Sequence, residues 1–280
     1  MNDQDITVII TSFHSGEKIF NCIESINKDV KIIVVENSND QELKKKIQSK
    51  YKNVDCILSK ENLGYGAGNN LGLSKVLTNY ALIVNPDVTL ENDTIDNFFL
   101  TIKNVKNFGI IAPISKDEIY TNFSIDNDKN LKEVESVKGF AMFLSMNNLK
   151  EIKFFDENFF LYFEEIDLCK RIRKNDIKIY IDPSIKVNHL GGTSHNSEIN
   201  KTMELSRNWH WMWSSFYYHK KHYGYFNAIL KIFPKLISSL IKFIFYLLIF
   251  QKFKSDIYKH RVFGIINSVL LKKSWYRPRI

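Results

Sequence analysis

The stretch ITVIITSFHSGEKIFNCIESINKDVKIIVV, residues 6–35, begins and ends on nearly continuous β-branched runs, Ile6 to Thr11 and Val30 to Val35. Runs of that kind, with no polar alternation, belong to strands covered on both faces, as in a parallel sheet. Parallel neighbours need a crossover, and Glu17 to Ile26 fits the helix that supplies it. The pattern continues with a helix through Leu43 and Ile47 and further apolar runs at Val54 to Leu58 and Tyr80 to Val84. The fold class predicted is α/β with a mostly parallel central sheet.

Ligands of open α/β sheets bind beyond the carboxyl ends of the strands. Glu36, Asn37, Ser38, Asn39 and Asp40 follow the second run directly, where they either contact a ligand or turn the chain and cap the next helix. After the third run comes ENLGYGAGNNLGLSK, residues 61–75, with four glycines at 64, 66, 68 and 72 in a chain that has 11. This spacing is not a nucleotide fingerprint G-x-G-x-x-G; it predicts a backbone that turns sharply or approaches a ligand, with Asn70 and Gly72 opening the next helix. The fourth run meets Asn85, Pro86 and Asp87. Pro86 stiffens that turn, and Asp87 is either a turn residue or a ligand for a hard divalent cation bridging to phosphate.

Further along, a helix spans Ile95 to Ile102, a short strand at Ile110 and Ile111 ends at Pro113, and residues 115–135 read as surface loops edging an acceptor site. Val137 to Met146 is strand-like, with Gly139 allowing close approach. Residues 154–192, FFDENFFLYFEEIDLCKRIRKNDIKIYIDPSIKVNHLGG, then gather Glu164, Glu165 and Asp167 at the start of a helix whose buried face is Leu168 and Ile172. Carboxylates beside that much aromatic surface need a metal, an arginine or a hydroxyl-rich substrate as partner. Val187 to His189 ends an alternating strand, with His189 a metal ligand or a histidine satisfied by a backbone carbonyl, and Gly191, Gly192 and His195 beyond it.

Cysteines 22, 56 and 169 are unpaired in spacing, which argues for a reducing compartment and against a thiolate metal site. The opening MNDQDITVIITSF has acids where a signal peptide carries basic residues, so the catalytic part is expected in the cytoplasm. The formal charge of +8 hides a division: from Ser215 to Ile280 there are 13 Lys and Arg against one acid, Asp256, while the rest of the chain is net acidic. That end faces something anionic, nucleic acid or a membrane.

Taken together, Thr11, Glu36-Asn37-Ser38, the segment Asn62 to Gly72, Asn85-Pro86-Asp87-Val88, Gly139, the run Phe154 to Arg171, and His189 with Gly192 give the chain its likeness. It resembles the inverting glycosyltransferases of family 2, of the GT-A fold, and within them the rhamnosyltransferase-like branch of bacterial surface polysaccharide synthesis, over roughly residues 5 to 195. The resemblance makes Glu36 the acid that reads the base, where the family usually has Asp. It places Thr11, Asn37, Asn62, Gly64, Asn70, Asn85, Gly139 and Glu164 around the nucleotide-sugar, and Asp87 and His189 on a divalent cation, Mg2+ or Mn2+. The family's catalytic base lies in a motif Glu-Asp-x-Asp; here it reads Glu164-Glu165-Ile166-Asp167, so Glu165 takes the base's position with one extra methylene, which moves the carboxylate by about an ångström. Asp167 is the alternative base. Arg171 either serves the diphosphate or pairs with Glu164 and Asp167.

The implied reaction is transfer of rhamnose from dTDP-rhamnose to a polyprenyl-diphosphate-linked saccharide; the alternatives are a UDP-hexose or galactofuranose donor, or a non-catalytic assembly partner that keeps the fold. The division expected is a catalytic domain at 1–214 and a helical membrane-attachment region at 215–280. Leu205, Trp209, Met212 and Phe216 are spaced to pack one helix face against the catalytic domain. Lys231, Lys235, Ser238 and Lys242 fall within about 60° on a helix otherwise Ile, Leu and Phe. A narrow basic stripe on an apolar cylinder suits attachment to an anionic membrane surface, with a homo-oligomer contact as the alternative. The uncharged run FIFYLLIF, residues 243–250, is short of the ~20 residues a span needs. The apolar content between the lysines excludes a nucleic-acid face. The expected location is the cytoplasmic face of the bacterial plasma membrane, peripheral or monotopic.

Overall fold

The computed structural model describes residues 5–115, 130–189 and 199–278; Gly191, Gly192, His195 and most of the loop at 115–135 lie outside them. The chain divides into two compact units, Met1–Phe155 with Glu165–Asn196, and Asp156–Glu164 with Ser197–Ile280.

The first unit is built of β1 (Ile6–Ser12), α1 (Lys18–Glu24), β2 (Lys31–Glu36), α2 (Gln41–Lys50), β3 (Val54–Leu58), α3 (Tyr65–Leu73), β4 (Tyr80–Val84), β5 (Val88–Leu90), α4 (Thr94–Asn104), β6 (Phe108–Ser115), β7 (Lys132–Glu133), β8 (Ala141–Ser145), α5 (Met146–Leu149), α6 (Glu164–Arg173) and β9 (Lys178–His189). The strands form one mixed sheet in the order β3-β2-β1-β4-β8-β6-β9-β5, with β7 on β9. The first four are parallel, as the opening runs predict, and β8 pairs antiparallel with both β4 and β6. β1 sits between β2 and β4 and is buried at every residue but Thr11, which explains why its sequence is apolar without alternation. The connection reverses direction beside β1, so the crevice past the ends of β1 and β4 is where such a sheet takes a ligand.

Three expectations change. The glycine-rich segment is not a loop leading to a helix at Asn70; α3 begins at Tyr65, directly after Gly64, whose φ of 83° turns the chain into it. The helix presses on the sheet: a Cβ on Gly68 would lie 2.7 Å from Thr11 Cγ2, and one on Gly72 would lie 2.6 Å from Ile9 Cγ2. Strand β6 is longer than Ile110–Ile111 and passes through Pro113, where its parallel register with β9 shifts, an irregularity that tolerates a residue without an N–H. Finally, only Ala141–Ser145 of the strand-like 137–146 run joins the sheet.

The second unit is helical: α7 (Asn200–Tyr223), α8 (Tyr225–Leu248) and α9 (Lys252–Val269). Helix α7 runs through position 215, so the charge shift falls in mid-helix. Met212 and Phe216, expected against the catalytic domain, pack with Ala228, Ile232 and Ile265 of α8 and α9. Helix α8 exposes most of its large apolar side chains, Phe226, Leu230, Phe233, Ile237, Ile241 and Phe245 among them. Among the described residues, no helix is long and apolar enough to cross a membrane.

Candidate functional site

Beyond β1 and β2, short polar side chains lock the crevice wall. Thr11 Oγ1 donates to Asn69 Oδ1 at 2.9 Å, and Asn69 Nδ2 donates to the Tyr65 carbonyl at 3.0 Å. The Asn37 N–H donates to Ser12 O at 2.8 Å and its side-chain Nδ2 to Gly64 O at 2.9 Å, leaving a buried Oδ1 without a hydrogen bond. Asn62 Oδ1 accepts from the Gly64 N–H at 3.0 Å and so shapes the entry to α3. Thr11, Asn37, Asn62 and Gly64 are thus one connected group. Glu36 is buried beside them, and its carboxylate accepts from Ser38 N at 3.1 Å, Ser38 Oγ, and Asp40 N at 2.7 Å. Both its oxygens accept from the turn that follows β2.

The second group lies past β4. The Asn85 N–H donates to Phe140 O at 2.9 Å, and Asn85 O accepts from Val88 N at 3.1 Å and from the Cys22 thiol. That tight turn carries Asp87. Antiparallel pairing of β5 with β9 puts Val88 opposite His189, which brings Asp87 Oδ1 to 3.6 Å from His189 Nε2. Side chains 102 residues apart therefore meet, although 3.6 Å is too long for a hydrogen bond between them. Asp87 Oδ1 is buried with no hydrogen-bond partner. A carboxylate oxygen so placed beside an imidazole nitrogen fits a shared divalent cation that completes its shell with water or phosphate oxygens. Among the described residues, no third His, Cys, Asp or Glu joins them. Phe140 stacks on the His189 ring at 4.8 Å and 18°. The Tyr65 hydroxyl, which donates to Gly139 O, fixes the backbone just before Phe140.

Helix α6 sorts its carboxylates. Asp167 is fully buried and accepts from Arg171 Nε at 2.8 Å. The remaining Arg171 donors reach the carbonyls of Ile152 at 2.9 Å, Lys153 at 2.7 Å, and Phe154. Of its two expected roles, Arg171 takes the structural one, clamping 152–154 to α6. Asn70, expected at the nucleotide, instead binds the Phe155 backbone at both ends, Nδ2 to O at 2.9 Å and Oδ1 from N at 3.0 Å. Glu164 is buried. Glu165 keeps partial solvent access, but its Oε2 is covered and has no hydrogen bond. Burial pushes the Glu165 carboxyl up to about 7, against a smaller downward pull from the N–H groups of Glu165 and Ile166. A carboxyl half-ionised near neutral pH is suited to general base work.

In the sequence Tyr65 has only a place within the segment Asn62 to Gly72, with no role of its own, and Phe140 is not singled out. Their signal was position alone: each neighbours a glycine already singled out, and neither the stacking of Phe140 on His189 nor the bond from Tyr65 to Gly139 O is written in residue type.

The family model described as "Glycosyl transferase family 2" matches residues 7–167. The chain is 29% identical over 198 residues to the low-salt glycan biosynthesis hexosyltransferase Agl10 of Haloferax volcanii, a match that covers 62% of this chain and 64% of the relative, just under two thirds of its length. It is 25% identical over 241 residues to the rhamnosyltransferase WbbL of Escherichia coli K12, covering 73% and 89%. Among solved structures, the fold is similar to the mannosyltransferase PcManGT from Pyrobaculum calidifontis in complex with GDP-Man and Mn2+ (TM-score 0.62, 10% identity, 96% of this chain and 88% of that one). It is also similar to S. aureus TarS 1–349 in complex with UDP (TM-score 0.56, 14% identity, 98% and 93%).

Proposed function

The chain belongs to glycosyl transferase family 2, and on that premise we propose that it moves rhamnose from dTDP-rhamnose to a hydroxyl of a polyprenyl-diphosphate-linked saccharide in surface polysaccharide synthesis, by one inverting displacement. The observation that carries the proposal is Glu165, a carboxyl at the head of α6 with a covered oxygen and a titration raised to about 7. Glu165 takes the acceptor's proton as the hydroxyl oxygen attacks the anomeric carbon, and the nucleoside diphosphate leaves from the opposite face. Asp167, held by Arg171, fixes the helix from which Glu165 works. Asp87 and His189 would hold Mg2+ or Mn2+, which would supply positive charge against the leaving diphosphate. Thr11, Glu36, Asn37, Asn62 and Gly64 line the nucleotide end, with Asn85 and Gly139 shaping the turn that carries Asp87 and the backbone before Phe140.

Rhamnose is favoured by the likeness to the E. coli rhamnosyltransferase, which extends over most of both chains. The exposed apolar side of α8 supports peripheral attachment at the cytoplasmic membrane face, where a lipid-linked acceptor is presented. Thermal shifts of the full chain with dTDP-rhamnose, dTDP and UDP-sugars, each with and without Mn2+, rank donors by their affinity for the folded state. The expected result is metal-dependent stabilisation by dTDP-rhamnose, with dTDP released once a polyprenyl-diphosphate-linked saccharide is added. Stabilisation by UDP-sugars alone moves the donor to a UDP-hexose or galactofuranose. No shift with any nucleotide, in protein shown to be folded, refutes the enzyme and leaves the assembly partner.

A further inference from the structure

Helix α8 carries three lysines, Lys231, Lys235 and Lys242, and no Asp or Glu from Tyr225 to Leu248. Among the described residues, no ion pair involves any of the three. Two of them gather against α7. Lys235 is half-buried, and its Nζ donates to the hydroxyl of the fully buried Ser215 at 3.2 Å. The carbonyl of the same Ser215 accepts from His219 Nδ1 at 2.6 Å, which leaves Nε2 as the ring nitrogen available to a ligand. Burial first, and then the charge of Lys231 one turn away, hold the Lys235 ammonium below its ordinary value. Beside this cluster runs a groove of about 570 Å³ between α7 and α8, lined by His219, Tyr223, Asn227, Leu230 and Lys231.

Like charges four apart on a helix destabilise it, and partial burial of one of them adds to the cost. An anion seated in the groove offsets both. The neighbouring surface shows what else that anion carries. Leu230, Phe233, Ile237 and Ile241 are exposed and spaced by three or four, so they form one file that starts at the lysine groove and follows α8 for about 16 Å. A second groove of about 530 Å³ lies along this file, lined by Phe233, Pro234, Ile237, Ser238, Ile241 and Lys242. An anionic head followed by a single apolar chain matches that order of surfaces. Two phosphates suit two lysines and a histidine that donates from Nε2 once protonated, whereas the phosphodiester of a bilayer lipid brings one charge and two chains.

We propose that the groove between α7 and α8 binds a polyprenyl diphosphate, with Lys231, Lys235 and His219 on the diphosphate and the first isoprene units along Leu230, Phe233, Ile237 and Ile241. This rests on the lipid-linked acceptor of the proposed function and gives the lipid of that acceptor a holding site within the helical unit.

The test titrates the full chain with farnesyl diphosphate, a soluble short-chain probe, by calorimetry at physiological salt in EDTA, so that no divalent cation takes part. Farnesyl diphosphate binds at least about tenfold tighter than pyrophosphate or farnesol, because head and chain both contribute. Lys231→Gln with Lys235→Gln weakens it by about tenfold or more, as the loss of two hydrogen bonds to a charged group requires. Lys254→Gln with Lys259→Gln, which removes the same charge from α9, changes it less than about twofold. Should the first double variant not fold, the exposed Lys231→Gln alone weakens binding by at least about threefold. Equal losses in the two double variants mean a diffuse effect of charge and overturn the proposal. Pyrophosphate binding as tightly as farnesyl diphosphate makes this a site for free phosphates and overturns it too. So does a variant at 231 and 235 that keeps its affinity for farnesyl diphosphate but leaves phosphatidylglycerol vesicles, since the lysines then read the bilayer. In transfer assays with dTDP-rhamnose and the polyprenyl-diphosphate-linked saccharide, that variant raises the acceptor KM and leaves the donor KM unchanged. Transfer by the parent, with acceptor KM and farnesyl diphosphate affinity both unaltered in the variant, sinks the site and leaves the reaction standing. No transfer by the parent, with farnesyl diphosphate binding still lost in the variant, upholds the site and refutes the reaction.

Discussion

Replacing Glu165 by Gln should shift the balance of stability toward the variant as pH rises while abolishing turnover. Burial raises this carboxyl from its ordinary 4.5 to about 7. The folded state therefore resists the charge that the unfolded chain accepts readily. Between pH 4.5 and 7 the native form holds the extra proton, so the contribution of Glu165 to stability is fully present below about 4.5 and is lost as pH rises through about 7. At ~1.4 kcal/mol for each tenfold change in protonation, the ionised side chain costs about 3 kcal/mol at pH 8. Gln cannot ionise, but its amide hydrogens need partners where the covered Oε2 has none, a penalty that does not vary with pH. The informative quantity is thus how the difference between parent and variant changes with pH. From pH 5 to pH 8 it should move by about 2.5 kcal/mol in favour of Gln, or roughly 5–10 °C in the melting transition, read by scanning fluorimetry in buffers of matched ionic strength. The parent's kcat/KM should fall tenfold per pH unit below about 7. A difference that stays flat across that range, or an acid limb near pH 4.5, would refute the reasoning, because either means that water reaches the carboxylate.

Removing Arg171 takes away the ion-pair partner of the fully buried Asp167 and the donors to three carbonyls, so Arg171→Ala should lose about 3–5 kcal/mol in urea unfolding, and Arg171→Lys, which cannot reach all three carbonyls, should lose a large part of that. Gly72→Ala forces a methyl group to 2.6 Å from Ile9 and should destabilise by about 1–3 kcal/mol in the same measurement. Asp87→Ala or His189→Ala should remove the Mn2+-dependent part of the nucleotide thermal shift and leave the metal-independent part, which separates the cation pair from the nucleotide wall. In α8, Ile237→Glu with Ile241→Glu should reduce co-sedimentation with vesicles containing phosphatidylserine at least tenfold; a change in oligomeric mass with unaltered vesicle binding would instead make this face a contact between copies.

What the sequence disclosed follows from how local each cause is. β1 and β4 were legible nearly to the residue because a strand buried on both faces writes its environment into almost every position. The glycines of α3 misled for a physical reason: in sequence, a glycine that frees the backbone and one that lets a helix lie against a strand look alike, and only the approach to Ile9 and Thr11 separates them. Asp87 and His189 could each be suspected singly, whereas their meeting depends on the pairing of β5 with β9, a contact no local pattern encodes.

The three acids of α6 also show why residue type alone leaves the base open. Asp167 and Glu165 lie two positions apart, on nearly opposite sides of the helix. One faces Arg171, the other does not. The guanidinium is spent on Asp167 and on three backbone carbonyls, so no cation figures among the influences on Glu165, whose titration is governed by burial. Had Arg171 turned toward Glu165, attraction would have drawn that carboxyl down and made it a weaker base. The clamp thus does two things at once: it gives Asp167 an ion-pair partner in the core and keeps its guanidinium off Glu165, whose carboxyl stays raised by burial.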